Sequence, residues 1–370
     1  MAIDSSVQRI VRLTPLSAIL ALIEEQVAAV AARRTALAEA VGAALASDVY
    51  AAERPARAIA LRDGFAVAAA EIADAGPYAP VPLSLIARRI DAGEALPSGT
   101  DAVAPLDAIA LRGDRTEAVA VVAPGEGVLP AGGDTAPSTA LRRAGEYLRA
   151  LDAAAMAAAG IAEVTIRSPR VALAGASAVK APVLAAAQAA LAHCLTQAGC
   201  SVQHTPRLTE ALGDNTCDAV IGIGGTGSGR RDDAVQDLAR AGKVEAHGIA
   251  VYPGETAAFG FVGKRPVLLV PGRLNAALAV WFLLGRHLAA GLAGGVIADT
   301  PVTAILRRKV TSGIGMTELM AVRCDDGMAE PLGAGYLSFT ALARSDGWIV
   351  VGADSEGFGA GSEVAVHRWP

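Results

Sequence analysis

Aromatic residues are scarce in this chain. They make up 4% of its 370 positions, against a hydrophobic fraction of 53%. Bulky rings cannot fill the interior, so the apolar content, much of it alanine, favours close-packed Ala-rich helices. Cysteine is sparse too. Cys194, Cys200, Cys217 and Cys324 form no C-x-x-C pair, and no histidine sits at a ligand spacing from them. That argues against a zinc site or a disulfide framework and fits a reducing cytoplasm. The chain has no Lys/Arg-rich tract, and its net charge is −5, so nucleic acid is not an expected partner. Asp4, with no apolar run before Arg9, argues against a signal peptide. The most apolar stretch, Ala276 to Leu284, is cut by Arg286 and His287. It reads as a buried helix too short to span a bilayer, so no membrane is expected.

What the chain does have is glycine in one place. Gly222, Gly224, Gly225, Gly227 and Gly229 fall within eight residues, and Asp232 closes the run. An apolar strand (Asp218 to Ile223) enters it and a helix (Ala234 to Arg240) leaves it. Strand, bare backbone and helix N-terminus together form an anion cradle: exposed N–H groups point at the ligand and the helix dipole favours negative charge. The loop predicts a phosphate-bearing ligand.

The length predicts two to four domains. Thr14 as cap and Pro15 at the first helical position open a helix expected to run to about Ala32, and a second helical stretch is expected over Ala36 to Ala44. Residues 51–136 carry short β-like runs (Pro82 to Ile86, Ala118 to Val122) between Gly/Pro turns. A helix (Ala150 to Ala159) and a strand (Glu163 to Ile166) follow. From Val171 strands and helices alternate. Strands are expected at Val171 to Ala174, Ser201 to His204, Ala219 to Ile223, Gly248 to Val251 and Val267 to Val270. Helices are expected at Val183 to Ala198 and Leu274 to Ala293. The alternation argues for a three-layer α/β domain with a largely parallel sheet, which binds ligands at the carboxyl ends of its strands. Short strands return after about Ala298: Ala304 to Arg308, Glu318 to Arg323, Trp348 to Val351 and Glu363 to His367.

Gly222-Ile-Gly-Gly-Thr-Gly227 also satisfies G-x-G-x-x-G, and Glu245 falls near the place of a ribose-binding carboxylate. A nucleotide-binding oxidoreductase is therefore an alternative, but that fingerprint belongs after the first strand of its domain, and this loop follows the third. Asp232 is a first-turn carboxylate favoured by the helix dipole, or else a group that holds Mg²⁺ beside a phosphate. Tyr252-Pro-Gly-Glu255 and Val270-Pro-Gly-Arg273 are ordinary turns as isolated dipeptides. Both are expected to end strands on the glycine-loop edge and to offer N–H groups there. Asp63 and Asp134 read as turn residues bonding their own backbone. The five histidines (His193, His204, His247, His287 and His367) are scattered and assemble no catalytic constellation.

The collinear order of these motifs resembles the molybdopterin molybdenumtransferase family, of the MoeA and gephyrin E-domain type. The resemblance spans about residues 13–368. It is carried by Leu13-Thr-Pro-Leu16, Ala56-Arg-Ala-Ile-Ala-Leu-Arg-Asp-Gly-Phe-Ala-Val67, Ile90-Asp-Ala-Gly-Glu94, Pro97-Ser-Gly-Thr-Asp-Ala-Val103 and Gly132-Gly-Asp134. It continues through the Leu151 to Val164 helix and strand, Gly224-Gly-Thr-Gly-Ser-Gly-Arg-Arg-Asp232, Tyr252-Pro-Gly-Glu-Thr256, Val270-Pro-Gly-Arg273, Gly333-Ala-Gly-Tyr-Leu-Ser338 and Ser345-Asp-Gly-Trp-Ile349.

The resemblance implies a multi-domain α/β architecture. Residues 1–50 with 137–168 would form a helical and extended linker domain, and 51–136 a small β-rich domain. Residues 169–296 would form a three-layer α/β molybdopterin-binding domain, and 297–370 a C-terminal β-barrel-like domain. It also implies a cytoplasmic homodimer that binds molybdopterin or its adenylate and inserts molybdate with Mg²⁺. Its partner protein would be a molybdopterin adenylyltransferase or a molybdoenzyme. By position, Gly224, Gly225, Thr226, Gly227, Ser228 and Gly229 would cradle phosphate, with Pro253, Gly254, Pro271, Gly272 and Ser177 lining the cleft. Asp232, Asp63 and Asp134 would be the catalytic carboxylates, with Asp232 also the metal ligand. Asp63 and Asp134 would face the neighbouring subunit's site.

The departures from the family pattern carry as much information. Ala176-Ser177-Ala178 replaces an Asp-Glu-Leu, so an expected carboxylate is missing. The Ser-Asn pair that opens the next helix is not evident. Gly227 replaces a serine, Glu255 replaces the lysine of a Pro-Gly-Lys-Pro, and Arg273-Leu274 replaces an Asn-Pro. An acidic pair near Pro206-Arg-Leu208 is absent, and the run from Gly93 to Pro97 is shortened. Carboxylates hold the metal and orient its oxygens in such chemistry, so their loss should cost activity before fold. The expectation is a divergent transferase with impaired or altered molybdenum insertion. The alternative within the family is a non-catalytic protein that binds or delivers the cofactor.

Overall fold

Six strands form the sheet that positions the glycine loop. In spatial order they are Ser201–Thr205, Arg170–Gly175, Ala219–Ile223, Arg265–Val270, Ala258–Val262 and Lys243–His247. The first four run parallel, and the last two join as antiparallel neighbours. The computed structural model describes residues 8–83, 88–112, 115–175, 182–297, 299–333 and 336–370. The chain divides into two compact units, one of Met1–Ser47, Ala144–Ala150 and Glu163–Pro370, the other of Asp48–Arg143 and Leu151–Ala162.

Strand alternation gives the sheet two apolar faces, as a sheet covered on both sides requires. Val171, Leu173, Ile221, Ile223, Leu268 and Val270 face one core, which contains Ile19, Ile23, Leu191 and the helical residues Ala277 to Leu292. Ala172, Ala174, Val220, Val267 and Leu269 face the other, against Leu208, Leu212 and Leu238. Helices therefore cover both faces and make the expected three layers. Gly222 sits mid-strand because a Cβ there would lie 2.7 Å from Leu269 and 3.0 Å from Leu208.

The C-terminal strands Val302–Leu306, Thr317–Asp325, Met328–Pro331, Gly347–Val351 and Glu363–Arg368 close into a five-stranded barrel. Closure comes from the antiparallel pairing of Thr317–Asp325 with Gly347–Val351. The expected barrel-like domain is thus a closed barrel.

Residues Leu274 to Ala293 form one continuous helix of 20 residues, with a π turn at Trp281–Gly285. It is long and apolar enough to cross a membrane, so the expectation that this stretch is too short for that is corrected. Its apolar window is 78% buried inside the fold, which is the environment of a core helix. Phe282 packs on Trp348 and Trp369 of the barrel region, at 5.4 and 5.1 Å between ring centroids. Two of the three tryptophans and Phe282 thus cluster where the helix meets the barrel.

Other expected elements move for identifiable reasons. The first helix spans Leu16–Gln26 and has no side-chain cap. Thr14 instead exchanges backbone bonds with Gly248 and Ala250. The helix stops before Ala32 because Val27 turns extended and Val30 donates to the Leu292 carbonyl. Of the stretch Ala36 to Ala44 only Leu37–Glu39 is helical, as a single 3-10 turn. Arg33–Ala36 and Ala44–Leu45 are strands flanking Glu163–Arg167, and Gly42 between them takes φ +88°. Alanine's helix propensity is a weak preference that tertiary pairing overrides. The strand expected at Gly248 to Val251 is only Val251–Tyr252. It pairs with Thr317–Glu318 of the barrel rather than with the α/β sheet, because Gly248 at φ +95° turns the chain away.

In the second unit, Gly64–Val67 pairs with Arg88–Ile90 and Ala102–Ala104. Its core gathers Phe65, Val67, Ile72, Ala104 and Ile109. A Cβ at Gly64 would lie 2.1 Å from the Ala104 carbonyl oxygen, so the Asp63-Gly64 turn admits only glycine at its second position. Of the expected run Ala118 to Val122 only Ala118 is in a strand, Arg115–Ala118, and the residues after it leave the sheet. Of the run Pro82 to Ile86, residues 84–86 lie outside the described residues.

All four cysteines are free thiols. Burial pushes Cys194 up to about 11 and Cys200 up to about 12, which makes both poor nucleophiles near neutrality.

Asp299 accepts hydrogen bonds from Arg286 at 2.6 Å and His367 at 2.8 Å, tying the core helix to the last barrel strand. Burial alone would raise its carboxyl, but the bonds from His367 and Arg286 outweigh burial and hold it below its ordinary value. A carboxyl lowered on folding contributes fully above its unfolded pKa of about 3.9, and that contribution is lost as pH falls through the folded value. Asp299→Asn should therefore lower stability at pH 7 by about 1–3 kcal/mol. Urea midpoints of variant and wild type should converge as the pH is lowered toward 3, and a pH-independent gap would contradict the assignment.

Candidate functional site

The strand Ala219–Ile223 is wholly buried, and the chain leaves it at the carboxyl edge through Gly224 and Gly225. Their φ values of +90° and +67° are accessible to glycine and strained for other residues. Gly224 donates to the Val270 carbonyl at 2.8 Å, which ties the loop to the neighbouring parallel strand. That strand ends in Pro271-Gly272, and a Cβ at Gly272 would come 3.4 Å from the Gly224 Cα. The glycine–glycine approach brings the two loops edge to edge.

From Gly225 to Gly227 the loop's carbonyls are bonded within the fold and its N–H groups are not. The Gly225 carbonyl accepts from Gln8 Nε2 at 2.7 Å and from the Ala234 N–H at 3.1 Å. The Thr226 carbonyl lies 2.9 Å from His247 Nε2, and a carbonyl only accepts, so this ring nitrogen carries the proton. The Gly227 carbonyl accepts from Gln8 Nε2 at 2.6 Å. The N–H groups of Gly225, Thr226, Gly227 and Ser228 donate to no other described residue. Three successive carbonyls are therefore held, and four successive N–H donors are left for a ligand.

These residues line a cleft of about 680 Å³. Gly224, Gly225, Thr226, Gly227, Asp232, Pro253, Gly254, Pro271 and Gly272 all contribute to it, so most of the residues expected at the site converge. Ser228 and Gly229 follow in the loop but lie outside the cleft lining. Ser177, with its neighbours Ala176 and Ala178, lies outside the described residues. Pro253-Gly254 reaches the cleft although its strand belongs to the barrel. Gly254, at φ +131°, presses on the core helix so closely that a Cβ would meet Val280 at 2.5 Å.

The half-buried Asp232 turns Oδ2 back onto the Gly229 N–H at 2.8 Å. A Cβ at Gly227 or Gly229 would lie 2.8 or 2.9 Å from that oxygen, so both glycines make room for the carboxylate. Glu255 likewise caps the Gly254 N–H at 3.1 Å. Among the described residues that line the cleft the exposed Arg273 is the cation, at the start of the long helix, with the buried Asn275 beside it. Among the described residues no group of three or more His, Cys, Asp or Glu is placed to hold a metal ion.

Asp63 and Asp134 belong to the second unit and are exposed. Asp63 accepts from the N–H of Ala92, which follows the paired strand Arg88–Ile90, at 2.9 Å rather than from its own backbone neighbours. The Asp134 N–H donates to the Arg54 carbonyl, and its carboxylate bonds no described residue. Sequence reasoning missed Gln8, His247, Thr256 and Asn275. Asn275 had a signal, a lone amide in the first turn of an apolar helix. Gln8 had none, being 217 residues from its partner in the loop.

Thr226, 2% exposed, shares a 2.9 Å hydroxyl contact with Thr256 across the cleft floor. Thr226→Val and Thr256→Val should each cost about 1–2 kcal/mol, because each leaves a hydroxyl unpaired. The double variant should cost clearly less than their sum. Urea unfolding of the four proteins measures this, and strict additivity would show that the contact contributes nothing.

Residues 14–160 match the "MoeA N-terminal region (domain I and II)". Residues 171–290 match the "Probable molybdopterin binding domain". Residues 303–369 match the "MoeA C-terminal region (domain IV)". A Methanocaldococcus jannaschii protein named "Putative molybdopterin biosynthesis protein" is 30% identical over 160 residues, 42% of this chain and 37% of that relative. The match thus spans little over a third of that relative's length. The crystal structure of the Pyrococcus horikoshii molybdopterin biosynthesis moeA protein superposes with a TM-score of 0.77 at 23% identity, covering 97% of this chain and 100% of that one. A molybdenum cofactor biosynthesis protein from Pyrococcus furiosus gives 0.62 at 20% identity, covering 97% and 100%. At these identities the structures establish the fold. Nothing in these matches favours the dinucleotide alternative, and Glu245 pairs with Lys243 at 2.7 Å instead of lining the cleft. With its three regions matched in order along nearly the whole chain, the protein belongs to the MoeA family of molybdenum cofactor biosynthesis proteins.

Proposed function

We propose that the cleft binds molybdopterin or adenylated molybdopterin through its phosphate, and that the protein acts as a molybdenumtransferase-like enzyme with altered catalysis. The observation that carries this reading is the row of unbonded N–H groups from Gly225 to Gly227, on residues that line the cleft at the carboxyl edge of a parallel sheet. Such a row binds a phosphate dianion without needing a side-chain cation. Arg273, at the N-terminus of the long helix, adds positive charge on the facing loop.

Asp232 and Glu255 supply the cleft's negative charge. Each spends one carboxylate oxygen on a backbone N–H and keeps the other free among the described residues. Mg²⁺ is usually held by one or two carboxylates together with substrate phosphates, and these two residues fit that role, Asp232 foremost. When bound, the ion would neutralise phosphoryl oxygens and orient the oxyanion to be transferred. The Gly229 N–H fixes the rotamer of Asp232, so its free oxygen is presented in a set direction. Glu255 acts oppositely to a cation at that place: it repels phosphate and molybdate, so it lowers the effective local concentration of both anions. Asp63 and Asp134, exposed on the second unit, would serve the cleft of a partner subunit in a homodimer.

Incubation with molybdopterin adenylate, Mg²⁺ and molybdate tests the reading by AMP release. Wild type should bind the adenylate and release AMP slowly. Asp232→Ala should abolish release while weakening binding only several-fold. Glu255→Lys should accelerate release about tenfold or more, a barrier change of about 1.4 kcal/mol. Binding without release by wild type and by Glu255→Lys would leave a protein that binds or delivers the cofactor. Failure to bind either pterin form would overturn the proposal.

A further inference from the structure

We propose that Gln8 is a positioning residue of the phosphate loop, holding its peptide units in the orientation that presents N–H groups to the ligand. The inference rests on the phosphate-binding reading above. Gln8 lies on the segment that precedes the first helix and is only 7% exposed. Its Nε2 donates to the Gly225 and Gly227 carbonyls at 2.7 and 2.6 Å, and its Oε1 accepts from the Val235 N–H at 3.3 Å. Both amide protons and one acceptor position are thereby used. A buried carboxamide is costly unless its groups are bonded, and here every bond goes to the loop or to the helix that follows it.

The consequence follows from peptide geometry. In a planar trans peptide the C=O and the next N–H point in opposite directions. Holding the Gly225 carbonyl on the Gln8 side turns the Thr226 N–H the other way, and holding the Gly227 carbonyl does the same for Ser228. His247, on the Thr226 carbonyl, sets the unit between them. Glycine-rich backbone has many conformations to lose on binding, so this fixing removes an ordering cost that the ligand would otherwise bear. The segment is itself well anchored. Ile10 packs over Gly248, where a Cβ would lie 2.5 Å from the isoleucine side chain, and Thr14 donates to the Gly248 carbonyl at 2.9 Å. Residues 8–14 thus form a strap whose seating and the loop's anion affinity depend on each other.

The test compares wild type, Gln8→Ala, Gln8→Met (which keeps the buried volume) and the exposed neighbour control Arg9→Ala. Molybdopterin affinity and amide hydrogen exchange of the unliganded proteins are measured on each. Gln8→Ala and Gln8→Met should weaken molybdopterin at least tenfold and speed exchange at Gly224, Gly229 and Ala234, the hydrogen-bonded amides in and beside the loop, with little change elsewhere. Arg9→Ala should do neither. Unchanged affinity and loop exchange in both Gln8 variants would overturn the proposal. So would a uniform rise in exchange across the domain, since that reports only lost stability. Should wild type itself fail to bind molybdopterin, the phosphate reading falls, and the exchange comparison alone still decides whether Gln8 orders the loop.

Discussion

The geometry of the cleft depends on the peptide orientation in one short loop. Residues 226–228 keep three successive N–H groups unbonded, and the carbonyls of the same three peptide units are engaged from elsewhere in the fold, by Gln8, His247 and the helix N-terminus. Without those anchors the same glycines would be free to turn their carbonyls outward, and a row of carbonyls repels phosphate. A side-chain cation could attract the ligand from a distance, but it could not make up for a loop presenting the wrong edge of its peptides. This explains how Glu255 can stand in the cleft without removing the basis for anion binding.

The surrounding architecture serves that loop. The parallel pairing of Ala219–Ile223 with Arg265–Val270 places the glycine loop and Pro271-Gly272 at one edge. The long helix that follows Gly272 carries Asn275 into the cleft and Val280 against Gly254. The same helix seats Phe282 on Trp348 of the barrel region. One helix therefore sets two of the three loops that line the cleft and also anchors the barrel, which accounts for its burial and for the aromatics gathered along it.

The sequence displayed the α/β half well and the linker poorly, for physical reasons. Continuous apolar runs such as Ala219 to Ile223 can hardly be anything but buried strands once the alternation with helices is seen. The 20-residue helix also stands out at its full length, although the charges at Arg286 and His287 made its apolar stretch look too short to cross a membrane. Arg286 is tolerated in that core because Asp299 and the Trp348 ring receive it, and no local pattern announces partners that distant. Ala36 to Ala44 misled because alanine favours a helix, whereas the actual structure is decided by pairing with Glu163–Arg167. Tyr252-Pro-Gly254 was placed at the right edge by an incorrect strand assignment: its two-residue strand joins the barrel, and its approach to the cleft comes from Gly254 packing on the core helix.

Within the site, what could be read from sequence were groups that act through their own backbone. Glycines and Pro-Gly turns declare their conformational purpose locally. Residues that act by reaching the loop from a distance did not, and Gln8, His247 and Thr256 are of that kind. The distinction bears on how such a protein diverges. Glu255 and Arg273 set the charge of the cleft wall but take no part in holding the loop carbonyls. In the loop itself, Gly227 and Gly229 leave room for the Asp232 carboxylate, which in turn bonds the Gly229 N–H. The backbone that would hold phosphate and the carboxylate that would act beside it are therefore packed as one unit. Substitutions elsewhere around the cleft can change its charge and shape while that unit, on which the proposed anion binding rests, persists.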